Sequence, residues 1–291
     1  MRSVCLVGVF ALSVVCGVLR AGPLEPPGAP VASTMKTIDQ VEPRIPLSAE
    51  TAPGDSTSIY RITSPGSYYL TEDLIGVVNK HGIVIDAPRV SIDLNGFAIV
   101  GPSGPRQGAF DGIRSVVVMR GCSIRNGSVR DWSGSGVNVP QVSQSNSDAI
   151  LVTDVAAISN TGRGIGVTAN STIIRGCSAA FNGQDGIRAT QSIVTDCVTF
   201  RNDGAAIAIE ASDCRVEGNL CHKSDNGIRV TGSGNVITGN KCSGNTVNWV
   251  IFGGNFYGPI INRAGVATAS VVVDAAAGTL GTTDPHANFT H

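Results

Sequence analysis

The sequence predicts an all-β protein coiled as a solenoid, and three observations predict it. An aliphatic anchor returns at Val152, Ile174, Val194, Val216 and Ile237, at intervals of 22, 20, 22 and 21 residues. The runs inside each interval, such as "STII" and "SIVT", are too short for helices and rich in β-branched residues, as strands are. Gly is abundant, at 36 of 291 residues, while aromatics are only 5%. That balance suits tight turns and small stacked side chains better than a helical bundle.

Taken from the N-terminus, Arg2 gives a positive start and Val4 to Leu19 is apolar, ahead of Arg20-Ala21 and a Pro-rich break. A membrane helix needs about 20 apolar residues, so 1–21 read as a cleaved export signal, with an uncleaved anchor as the alternative. No second membrane-length segment follows, and the expected location is secreted, periplasmic or cell-surface. Residues 22–57 are rich in Pro, Ala, Ser and Thr without an apolar period. They read as an extended linker or arm.

Residues 58–262 form the coil. The first, irregular layer is "SIYRITSPGSYYLTEDL", in which Tyr60, Tyr68 and Tyr69 cover apolar core. Weak copies of the repeat follow, with Leu94, Phe97 and Ile99 aligned on Met119, Cys122 and Ile124. Their Gly-Ile partners are Gly82-Ile83 and Gly112-Ile113. One sizeable insertion, 130–149, precedes the regular repeats.

In those repeats, Val155, Cys177, Cys197, Asn219 and Asn240 stand three positions after the anchor. Ala157, Ala179, Thr199, Cys221 and Cys242 stand five after it. Ile165, Ile187, Ile207, Ile228 and Trp249 come twelve or thirteen after it, usually behind Gly. Columns of like residues arise when each strand pairs in parallel with its copy one turn above, and crossover handedness makes the coil right-handed. The expectation is a right-handed parallel β-helix of roughly seven to nine rungs with N- and C-terminal caps. A leucine-rich repeat does not fit, because residues 150–250 hold only Leu151 and Leu220. A hexapeptide helix needs a stricter six-residue grid. Trp249, Phe252, Phe256 and Tyr257 read as a C-terminal lid or a sugar-stacking platform, and 263–291 as a tail or cap.

The segments "ITSPGSYYLT" at 62–71 and "VSIDLNGFAI" at 90–99, followed by Gly-Ile and Gly-Asn repeats, resemble bacterial β-helix repeat proteins of the pectin-lyase-like superfold. The resemblance covers about residues 59–262. It implies a scaffold that hosts lyases, glycoside hydrolases, sugar epimerases, esterases and non-catalytic binding or adhesion proteins.

Chemistry is harder to find in the residues. The net charge of −1 offers no basic field for nucleic acid. Cys122, Cys177, Cys197, Cys214, Cys221 and Cys242 remain after signal removal, an even count that invites disulfides. Side chains in one column point the same way, however, which favours stacked thiols. No CxxC pair or Cys/His cluster suggests zinc, and no metal site is expected. The Asp-Asp, Gly-His-Gly and Arg-x-Lys segments of the scaffold's glycoside hydrolases are absent. Asp284-Pro285-His286 echoes an alginate epimerase signature, but Ala287 replaces its acid.

Asp185, Asp203 and Asp225 fall in similar turns before the Gly-Ile strand, and Arg188 and Arg229 follow its Ile, with Glu210 between them. These five Asp and Arg residues are the candidate ligand-binding set, while catalytic residues are unknown. Stacked acids beside Arg suit an acidic sugar, with turn chemistry and a solvated strand face as the plainer reading. The functional expectation is an exported carbohydrate-binding, surface or adhesion module whose partner is a polysaccharide or cell-surface glycan, without a cofactor. The alternative is a polysaccharide lyase or uronate C5-epimerase on an acidic polysaccharide, with Ca²⁺ as its cofactor.

Overall fold

Each coil turns one residue from each of three strands inward, and the stacking of those residues makes the core, buried throughout the middle coils. The computed structural model describes residues 43–104, 108–140, 148–262 and 283–290. Its first face stacks Tyr60, Ile83, Ile113, Val137, Ile165, Ile187, Ile207, Ile228 and Trp249 in parallel register. The second stacks Tyr68, Ile92, Ile124, Val152, Ile174, Val194, Val216, Ile237 and Tyr257. The third runs Leu74, Ile99, Val129, Ala157, Ala179, Thr199, Cys221, Cys242 and Thr290. The described residues thus form nine coils of a right-handed parallel β-helix. From Ile83 to Ile228 the first column is wholly buried.

The three strands are joined by corners at which one residue turns left-handed. In one coil these are Gln191, Asp196 and Arg201, with φ of 43°, 56° and 51°. In the next they are Asp213, Gly218 and Lys223, at 60°, 67° and 53°. This conformation suits Gly, Asn and Asp, which take many of these corners, among them Asp154, Gly176, Asp196 and Gly218. The residue after each corner turns inward, so Ser192, Cys197 and Asn202 lie under Cys214, Asn219 and Ser224. Six Cys, 122, 177, 197, 214, 221 and 242, are free thiols buried in the interior. Burial and the neighbouring Cys221 push the Cys242 thiol up, which keeps it protonated.

Buried Asn side chains close the corners. The Asn160 and Asn182 amides donate to Asn182 and Asn202 Oδ1, at 3.0 and 2.9 Å. A second ladder links Asn219, Asn240 and Asn288. Each side chain replaces hydrogen bonds that the turning backbone cannot make for itself.

Three expectations change in detail. The early anchors are Ile92 and Ile124 rather than Leu94 and Met119, and Ile99 stacks on Val129 of the third face. Residues 43–57, assigned to the arm by their composition, lie on the first coil: Ile45–Pro46 pairs with Tyr68–Tyr69, and Leu47 is buried. Residues 1–42, where the export signal and most of the arm are expected, lie outside the described residues. Phe252, Phe256 and Tyr257 are 56%, 69% and 56% exposed, so they do not form the lid; alternation along the last strands turns Phe256 outward over Val236. Instead Asn288–Thr290 stacks on the third face, and Thr290 Oγ1 accepts the Trp249 indole N–H at 2.7 Å. Residues 263–282 of the tail lie outside the described residues. Among those described, no helix is long and apolar enough to cross a membrane.

Candidate functional site

On the first face the residue after each inward one points out of the coil, and four of these nine positions are Arg. That outward column reads Arg61, Val84, Arg114, Asn138, Gly166, Arg188, Ala208, Arg229 and Val250. Arg188 and Arg229 are two coils apart, about 10 Å at the usual strand spacing. Small Ala208 between them leaves room for both guanidiniums to reach across.

Asp185 lies in the corner before this strand and is only 7% exposed. Its Oδ1 accepts the Ala205 N–H of the next coil at 2.9 Å. Arg229 Nη2 lies 3.3 Å from Oδ1 and 3.5 Å from Oδ2 of the same carboxylate. Arg229 also reaches Glu210, at 3.8 Å, and Arg188 donates to Glu210 Oε2. Arg163 approaches Asp185 Oδ2 to 3.8 Å. Burial, then the adjacent Arg188, lowers the pKa of Arg163.

The structure therefore brings Asp185, Arg188 and Arg229 together and leaves Asp203 and Asp225 out. Both are exposed, and neither carboxylate holds an ion pair among the described residues. Their turns look alike in sequence, yet Asp185 stands two residues before its Ile, Asp203 four before and Asp225 three before. A shift of one residue at a corner redirects the side chain. The three carboxylates form no shared cation site, because Asp185 is turned onto a backbone amide and a guanidinium.

Arg163 was not among the sequence candidates, and neither was a second copy of this arrangement. Successive N–H bonds from Gly82, Gly112, Gly136 and Gly164 place Asp111, Ser135, Arg163 and Asp185 in one corner column. Asp111 Oδ1 accepts the Ser135 N–H at 2.7 Å, as Asp185 does from Ala205. Its Oδ2 accepts Arg114 at 3.0 Å and Asn138 at 2.9 Å. The signal was present, because "DGIR" occurs at both 111–114 and 185–188. His81 completes this copy by accepting the Asp111 N–H on Nδ1 at 2.8 Å. Burial depresses its pKa, so the imidazole is neutral with its proton on Nε2. The basic lone pair is thus already engaged, and His81 is poorly placed as a general base.

The chain matches the family model described as right handed beta helix region over residues 111–266. Among the curated proteins and the solved structures compared with it, none matches.

Proposed function

The chain belongs to the right-handed β-helix family, and on that scaffold we propose an exported, non-catalytic module that binds an acidic glycan on its first face. One observation carries the reading: Arg163, Arg188 and Arg229 cluster round only two carboxylates, Asp185 and Glu210. The surplus guanidinium leaves a place for one incoming carboxylate, such as that of a uronate, which Arg recognises in a planar, two-pronged fashion. The apolar run behind Arg2 supports export. A lyase or epimerase needs an uncommitted base beside the uronate. Here Asp111, Asp185 and His81 are each engaged by amides or guanidiniums, which favours binding over turnover.

The test is titration of the full chain with polygalacturonate, alginate and a sulfated glycan. We expect binding to at least one of them, and Arg188→Ala with Arg229→Ala to weaken it by about tenfold or more, since a charge-assisted bond contributes about 1.5–3 kcal/mol. EDTA is expected to leave binding unchanged. Unaltered binding in the double variant, or release of unsaturated products by the wild type, would overturn the proposal.

A further inference from the structure

The corner between the first and second faces is where the length of the regular coils varies most. The inward residue of the first face and the following anchor are nine positions apart in the coils from Ile165 to Ile174, Ile207 to Val216 and Ile228 to Ile237. From Ile187 to Val194 they are only seven apart. The register locates the shortfall: Thr168 faces Thr190 and Thr172 faces Ser192, so residues 169–171 lie opposite Gln191 alone. A short coil is thus held between two longer ones. A cavity of about 590 Å³ opens at this notch, within the roughly 300–1,000 Å³ of small-molecule sites.

Its walls carry Asn170 and Gln191 amides, the Asp213 carboxylate and the Arg215 guanidinium, and Ile173 and Ile193 form an apolar ledge. The two Ile side chains are 38% and 39% exposed. Ser192 also lines the cavity; its buried Oγ has no regular hydrogen bond, only the weakly accepting Cys214 sulfur beside it. Unlike the arginine cluster of the first face, the notch keeps polar side chains uncommitted: among the described residues neither Gln191 nor Asp213 has a side-chain hydrogen bond or ion pair. Arg215 is paired with Glu217 at 2.5 Å.

We propose that this notch is a second binding site, and that it takes a neutral sugar unit. Amides and a carboxylate supply both donors and acceptors for a rim of hydroxyls, and the two-Ile ledge suits the C–H face of a pyranose ring. An anion would meet the unpaired Asp213 and an Arg already neutralised by Glu217. A wholly apolar ligand would desolvate Asp213 without compensation. The inference is independent of the arginine cluster on the other face.

The experiment is calorimetric titration of the full chain with cellotriose, maltotriose and mannotriose. We expect at least one to bind at millimolar concentration or below, and Gln191→Ala and Asp213→Ala each to weaken it about tenfold. Both residues are exposed, and far-UV circular dichroism verifies that the variants keep their fold. Arg188→Ala with Arg229→Ala should leave neutral-sugar binding intact, and the notch variants should leave polygalacturonate binding as it is in the wild type. Absence of binding by all three trisaccharides overturns the proposal, as does equal binding by wild type and both notch variants. Failure of polygalacturonate binding alone would count against the first-face site and not against the notch.

Discussion

Ile187 lies between Ile165 and Ile207 with none of its surface exposed, so Ile187→Ala removes buried methyl and methylene groups from a column that cannot easily close. We expect a loss of roughly 2–5 kcal/mol in urea unfolding; a loss below about 1 kcal/mol would contradict this register. His81 offers a different test. Burial lowers its pKa in the folded state, with Asp111 opposing and Arg114 reinforcing that effect. The folded chain therefore binds this proton less readily than the unfolded chain. Its contribution to stability is complete above the unfolded pKa, about 6.5, and diminishes as pH falls through that value toward the folded pKa. Urea midpoints for the wild type should drop from about pH 7 to 5 more steeply than those of His81→Gln. Parallel profiles would remove His81 from the account.

At the scale of the corner and strand, side-chain amides connect one coil to the next. Asn182 Oδ1 accepts from the Asn160 backbone and side chain, and its Nδ2 donates to Ala157 O and Asn202 Oδ1. Asn182→Leu keeps similar bulk but strands these buried partners, at about 1–3 kcal/mol for each unsatisfied group. A total loss of about 3 kcal/mol or more is expected by urea unfolding, and a neutral variant would show that the ladder is dispensable. These elements also show what the sequence made legible. From Val152 onward the intervals differ by at most two residues, so columns could be read directly. Between Ile92, Ile124 and Val152 they are 32 and 28 residues, and because the second and third faces both bury aliphatics, Ile99 of the third face looks in sequence like Ile124 of the second. The candidate site was legible in part for the same reason. Arg188 and Arg229 lie on strands, where alternation fixes direction, whereas the direction of Asp203 and Asp225 depends on turn geometry. The repeated "DGIR" was visible, but the partnership between Asp185 and Arg229, 44 residues apart, depends on which coils are neighbours.

For the molecule as a whole, the columns mean that each coil is bonded chiefly to the one before and the one after, a nearly one-dimensional arrangement. That arrangement has a mechanical consequence. A coil occupies about 4.8 Å along the stack, yet 20 to 22 residues drawn taut reach about 70 Å at roughly 3.3–3.6 Å per residue. Tension applied through the two ends should therefore peel the chain one turn at a time. Single-molecule pulling should show extension steps of about 70 Å, with a longer step of about 110 Å where the 32-residue interval from Ile92 to Ile124 gives way; one all-or-none rupture would refute stepwise release. A molecule built this way lengthens more than tenfold under load while its remaining turns stay wound, so it yields by instalments where a globule of equal mass would break at once.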